Sequence, residues 1–362
     1  MKRHIFAFAS AALVAGCWGH SYPDTNVFIK PVAESFSPAE TVQVFVDPNG
    51  TFYPTGWTEE MKRYRSWKAD SLLNESNEDP VFRSLIENGE REQLTQLAEF
   101  GRDKERILIL IHGYNNEMNV AQAAFVDIER KVELTPQDGI VRFYWDGLTG
   151  SGIGGGKIWF NAAGYSQLAG QRGLRRVLES FSDKEIFLIS HSRGASVVLS
   201  ALGNPVYDPE FLKDTMDVSK DWGPTYRNFL QIDPYKDRGN RIHVIALAPA
   251  VDRIDFCNIS EQPLDDNRFD CARLRPLRMV ESFRYTINPS DRVLNKFVGL
   301  SGGFNPTGLG VQPSIGVRLA EDYGFLTAYP FSDPQTFHGF PNYVQHETFD
   351  RMLTDAGLMG SR

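Results

Sequence analysis

Ile186-Phe187-Leu188-Ile189-Ser190-His191-Ser192-Arg193-Gly194 is the stretch that decides how this chain is read. An apolar, β-like run breaks sharply at Ser192 and gives way to a helix-like segment, Ala195 to Leu202. A serine at such a strand–turn–helix elbow sits in a strained turn with its hydroxyl exposed at the top of a sheet. The residues two positions to either side of it must be small. Here they are Ser190 and Gly194, where the usual pattern has Gly in the first place as well.

Working outward, apolar runs suited to buried parallel strands recur at Ile107–Ile111, Ile140–Trp145, Ile186–Ile189, Ile242–Leu247 and Phe283–Ile287. Strands that are apolar on both faces imply a mostly parallel central sheet flanked by helices, the α/β class. Earlier, Thr41–Val46 and Thr51–Tyr53 flank the turn signal Asp47-Pro48-Asn49-Gly50 and read as a hairpin. Trp57–Asp70 and Pro80–Phe100 carry apolar residues at helical spacing. Two stretches, 147–167 and 203–240, read as insertions over the carboxyl edge of the sheet, where α/β folds bind ligands.

A nucleophilic serine needs a base, the base an orienting acid, and the tetrahedral intermediate two donors for its oxyanion. The run Ile107–Ile111 ends in His112-Gly113-Tyr114-Asn115, so the Tyr114 and Arg193 backbone N–H groups are the candidate donors. The acid should leave a strand end after the elbow. Asp291 follows Phe283–Ile287 and is preferred; Asp252, one strand earlier, is the alternative, and either is equally suited to cap a helix. Of the seven histidines only His338 and His346 follow Asp291. His346 stands at a loop-to-helix junction before Glu347–Leu353 and is preferred over His338.

The order Ser192, Asp291, His346 resembles that of the α/β-hydrolases over roughly residues 105 to 355. Together, His-Gly-Tyr-Asn, Ser-His-Ser-Arg-Gly, Ala-Pro-Ala-Val-Asp and Ser-Asp-Arg-Val-Leu resemble a bacterial α/β-hydrolase family of uncharacterised function. The resemblance implies an α/β-hydrolase-like fold, favours Asp291 and His346, and makes the departure at Ser190 harmless, since relatives often have Ala there.

Lys2-Arg3, an apolar run from Ile5 to Ala15 and small residues at its end read as a signal peptide over residues 1–16, too short to span a bilayer. Val14-Ala15-Gly16-Cys17 resembles the bacterial lipobox. That resemblance implies lipidation of Cys17, a tether over 17–40, one hydrolase domain over 41–362, and a membrane-anchored protein of the bacterial cell envelope. Trp18 in place of an inner-membrane retention Asp points to the outer membrane, facing the periplasm. In that oxidising compartment Cys257 and Cys271 are expected to form a disulfide. It would close 13 intervening residues and add about 3 kcal/mol.

Several classes are disfavoured. A net charge of −8, with no Lys/Arg run, argues against a nucleic-acid partner. The glycine run 150–156 before Lys157 lacks the spacing, the Ser/Thr and the following helix of a phosphate loop. There is no Gly-x-Gly-x-x-Gly opening a helix and no His-Glu-x-x-His or cysteine cluster, so neither a cofactor nor a metal is expected. The sequence therefore predicts an exported serine hydrolase acting on a small-molecule or lipid carboxylic ester, with Trp159, Phe160 and Tyr165 suited to an acyl site. The rival readings are acyl transfer by the same triad and a non-catalytic binding module on the same fold.

Overall fold

The computed structural model describes residues 18–19, 37–54, 72, 79–150, 164–203, 235–256, 279–297 and 307–360. Seven strands form one wholly parallel sheet: β2 (Glu40–Phe45), β3 (Arg106–Ile111), β4 (Asp138–Tyr144), β6 (Glu185–His191), β7 (Arg241–Leu247), β8 (Val280–Ile287) and β9 (Leu326–Pro330). Their order across the sheet is β2-β4-β3-β6-β7-β8-β9. A separate antiparallel pair joins β1 (Trp18–Gly19) to β5 (Thr149–Gly150).

The central strands are mostly apolar because both faces are covered, and the Arg142 guanidinium buried in β4 is paired with the Glu129 carboxylate. Along β3 the alternation sorts the core: Ile107, Ile109 and Ile111 pack on one side of the sheet, Leu108 and Leu110 on the other, all fully buried. At about 25 cal/mol per Å² of apolar surface, each such side chain adds about 1.5 to 3 kcal/mol. The first face packs a π-helical turn, Ala169–Leu174, running into α3 (Arg175–Glu179), and α4 (Gly194–Leu202). The second face packs α2 (Met118–Lys131), α7 (Phe340–Gln345) and α8 (Glu347–Asp355), while α5 (Leu294–Phe297) and α6 (Pro313–Ala320) lie between β8 and β9 in the chain. The long helix α1 (Pro80–Gly101) opens on Asp79, whose carboxylate accepts the Val81 and Phe82 N–H groups, with Pro80 at its first position.

The expected hairpin is altered here. The turn at Asp47–Gly50 forms, with the Asp47 carboxylate accepting the Asn49, Thr51 and Leu72 N–H groups. Its two arms, however, share a single antiparallel bridge, Val46 to Phe52. The first arm instead joins the main sheet parallel to β4, Glu40 opposite Gly139 through Phe45 opposite Tyr144. The expected tether over 17–40 touches the body at both ends of its described part, through β1 and through Glu40. The strand β9, not anticipated from sequence, lengthens the sheet. Cys17, Cys257, Cys271, residues 57–70, and most of the two expected insertions lie outside the described residues. No helix among the described residues is long and apolar enough to cross a membrane.

Candidate active site

Strand β6 delivers Ser192 at the carboxyl edge of the sheet, and the chain turns there at φ +53° before entering α4. This left-handed turn is strained for a residue with a Cβ. It is held by Ser192 N–H donating to Leu247 O at 2.8 Å and by Ala250 N–H donating to Ser192 O at 3.1 Å. Two glycines make the turn possible by close approach. A Cβ on Gly194 would lie 2.7 Å from His112 O, and one on Gly113 would lie 2.7 Å from Ser192 Cβ. Ser190 is fully buried, so its side chain, small as it is, fits without a glycine.

The helix behind the serine is fixed at both ends. At its start the buried Arg193 guanidinium donates to Ala250 O at 2.8 Å and to Ser166 Oγ at 3.2 Å, with Asp255 at 4.0 Å. At its end the buried Arg175 guanidinium donates to Ser200 O, Ala201 O and Gly203 O, a cation on carbonyls that a helix leaves unsatisfied.

The histidine at the serine is His338. Its Nε2 lies 2.9 Å from Ser192 Oγ and its Nδ1 lies 2.8 Å from Asp291 Oδ2. A carboxylate only accepts, so Nδ1 carries the proton and Nε2 offers a lone pair to the serine hydroxyl. Asp291 is fully buried and divides its oxygens between two tasks. Oδ1 accepts the Val293 and Leu294 N–H groups at 2.9 and 3.0 Å; Oδ2 accepts His338 Nδ1–H and the Tyr343 hydroxyl at 2.7 Å. Burial pushes its carboxyl up, but the hydrogen bond and electrostatic pull of His338, with the Leu294 N–H and Tyr343 hydrogen bonds, outweigh this and hold it below the usual carboxylate range. Asn288 steadies the same corner, its amide donating to Gln335 O and Tyr343 Oη and accepting Gln335 N–H.

The preferred sequence candidate, His346, is employed elsewhere. It caps α8, Nδ1 accepting Thr348 N–H at 3.1 Å, and its ring stacks on Phe331 at 3.8 Å and 3°. Burial lowers its pKa. Asp252 likewise serves the backbone, accepting Gly308 N–H at 3.0 Å. Thus the structure brings Ser192 and Asp291 together with His338, the second choice from sequence, between them, and leaves His346 and Asp252 elsewhere. The signal that distinguishes the two histidines is β9: His338 lies on the loop leaving that strand's carboxyl end, whereas His346 comes one helix later.

On the opposite side of the serine, the His112–Asn115 turn is braced by a neutral imidazole. His112 Nδ1–H donates to Gly113 O at 2.9 Å, Nε2 accepts Trp145 N–H at 3.2 Å, and burial pushes its pKa down to about 4. Trp145 Nε1–H returns a bond to His112 O, and Asn115 N–H donates to Gly147 O. Tyr114 packs with Leu148 and Tyr165 in a small apolar cluster, and burial pushes its phenol up to about 12. Asn115, Leu148 and Ala248 share the left-handed backbone of Ser192, with φ between +46° and +56°. Among the described residues, no group of three or more His, Cys, Asp or Glu side chains is placed to hold a metal.

Residues 89–268 match the model of a family described as an alpha/beta hydrolase of unknown function, and the fold is an α/β-hydrolase fold. Solved structures that resemble the chain include the apo form of Thermogutta terrifontis esterase 2, at 12% identity and TM-score 0.35, covering 72% of this chain and 87% of that one. An acetyl xylan esterase is 11% identical with TM-score 0.32, covering 71% of this chain and 99% of its own. A bacterial heroin esterase is 11% identical with TM-score 0.28, covering 70% and 73%. No curated protein matches the sequence.

Proposed function

We propose that this protein is a serine hydrolase that cleaves a carboxylic ester through a Ser192–His338–Asp291 triad. The observation that carries the reading is the unbroken chain from Ser192 Oγ through both nitrogens of His338 to Asp291 Oδ2, at 2.9 and 2.8 Å. Such a chain activates a hydroxyl: His338 Nε2 takes its proton as Oγ attacks the acyl carbonyl, and Asp291 stabilises the imidazolium formed.

The carbonyl oxygen, now an oxyanion, accepts from the Arg193 and Tyr114 N–H groups beside the positive end of α4. Collapse expels the alcohol, which leaves with the proton from His338, and the acyl group stays on Oγ. Water then attacks, its proton passing to Nε2, and release of the acid restores the serine. The sum is ester plus water to acid plus alcohol. An inert binding module would have no need of a histidine so aligned.

Export and lipidation at Cys17 belong to the same proposal. With Trp18–Gly19 paired to Thr149–Gly150, and Gly150 N–H donating to Asn115 Oδ1, a lipid on Cys17 would hold the serine's side of the molecule toward the bilayer. Small-molecule or lipid esters at that envelope surface are the substrate class this favours. The test is labelling with a fluorophosphonate probe, which requires an activated serine. Wild-type protein should label, and Ser192→Ala and His338→Ala should not. A folded wild-type protein that stays unlabelled refutes the reading.

A further inference from the structure

His191 precedes the nucleophile, is almost wholly buried, and has no part in the triad. Its Nε2 lies 2.8 Å from the main-chain oxygen of His338, 147 residues away in sequence. Its ring stacks flat on Phe340 at 4.6 Å and 7°, and lies 5.0 Å from the His338 ring. A carbonyl oxygen only accepts, so Nε2 must carry a proton. Nδ1 has no hydrogen-bond partner among the described residues. Burial, reinforced by the nearby His338, drives the pKa well below that of a free imidazole, so the ring is neutral and its single proton sits on Nε2.

We propose that His191 is a positioning residue: its Nε2–H fastens the main chain of His338 to the strand that carries Ser192 and so sets the distance between base and nucleophile. The proposal rests on the triad reading above. The loop bearing His338 leaves β9 and enters α7 with few main-chain anchors of its own. Asn288 holds it at Gln335 and Asp291 holds the imidazole at Nδ1, but both belong to the β8 side of the site. The His191 bond is the one that comes from β6, and it ties the base to the element whose last residue is the nucleophile's neighbour.

The residue type follows from the site. The position calls for a flat face against Phe340, a donor at its far edge, and no charge. A charge there would oppose the imidazolium that His338 becomes as it takes the serine proton. The groups facing His191 are His338 and Tyr343 from the histidine loop and α7, and His112 from the turn after β3.

The experiment compares His191→Gln with His191→Asn. A glutamine amide nitrogen reaches the place of Nε2; the asparagine amide reaches only that of Nδ1, where nothing is bound. Both lose the ring, so both lose the stacking equally. His191→Asn should lower kcat and the fluorophosphonate labelling rate by about 10²-fold at unchanged KM, and His191→Gln should recover to within about threefold of wild type. Equal rates in the two variants, or a change confined to KM, overturn the proposal while leaving the triad intact. A wild-type protein that does not label removes the triad reading and this one together. Nitrogen-15 spectra of the wild-type imidazoles give a readout that no folding defect can obscure. His191 should show a neutral ring protonated at Nε2 at neutral pH, and a proton on Nδ1 overturns the proposal.

Discussion

Replacing Asp291 by asparagine tests the site through a single proton. Asp291 Oδ1 accepts two backbone N–H groups, from Val293 and Leu294, while Oδ2 accepts His338 Nδ1–H and the Tyr343 hydroxyl. An asparagine must keep its carbonyl oxygen on the two backbone donors. Turned the other way it would set its NH₂ against two N–H groups, losing two buried hydrogen bonds at about 1 to 3 kcal/mol each. The side-chain amide nitrogen is thereby forced toward His338 Nδ1, which can then only accept. The imidazole proton moves to Nε2, and the lone pair that should take the Ser192 proton is gone. Loss of the correct tautomer in a triad of this kind lowers kcat by about 10⁴-fold, or about 5 kcal/mol of transition-state stabilisation. The assay is turnover of a short-chain aryl ester together with the fluorophosphonate labelling rate, with thermal unfolding to establish that the variant is folded. A folded Asp291→Asn protein within about tenfold of wild type would refute the assignment of Asp291 and the tautomer argument with it.

His338→Ala should abolish labelling, a loss of about 10³-fold or more, whereas His346→Ala should label at the wild-type rate. The latter should be less stable by about 1 kcal/mol in urea unfolding, from the lost cap on α8 and the Phe331 stack; the opposite pattern would restore His346 as the base. Gly113→Ala places a methyl 2.7 Å from Ser192 Cβ and 2.8 Å from His191 O. It should cost about 3 kcal/mol of stability and slow labelling; a variant as stable and active as wild type would show that the turn does not press on the elbow. His112, whose folded pKa falls from 6.5 to about 4, binds its proton more readily in the unfolded chain. Its contribution to stability is present above pH 6.5 and is lost as pH falls toward 4. In His112→Gln the drop in unfolding free energy between about pH 7.5 and 4 should shrink by about 3 kcal/mol; an unchanged drop would mean that His112 is not buried neutral.

The parts of the molecule legible in the sequence were those whose physics is local. β3 and β6 are continuous apolar runs because helices cover both faces, and the elbow shows as small residues around Ser192 because only they fit that turn. Asp291 was found as a strand-end carboxylate, and its suitability as a helix cap proved part of its task, since Oδ1 does bind the following turn. The histidine that meets Ser192 was the second choice because β9, Leu-Thr-Ala-Tyr-Pro, is an edge strand with only Tyr329 buried and so lacks the apolar run that marks the others. Without that strand there was no sheet edge from which to count, and a histidine before an amphipathic helix looked better placed than one before Gly339-Phe340-Pro341. The parallel docking of β2 was hidden for the opposite reason. A strong turn signal follows it, and the partner it chooses, β4, lies about a hundred residues further on.

Ser192, Asn115, Leu148 and Ala248 all hold left-handed backbone with a side chain attached, and all four lie within a few residues of a strand's carboxyl end. At about 1 to 2 kcal/mol apiece, this rim is where the fold gives up stability, while the amino-terminal rim contributes only Asp183 among the described residues. Heat resistance and turnover are therefore set against each other in space. Selection for a hotter-melting protein would meet its readiest gains by relaxing this rim, through Ala248→Gly for instance, and would meet its losses of activity in the same few residues.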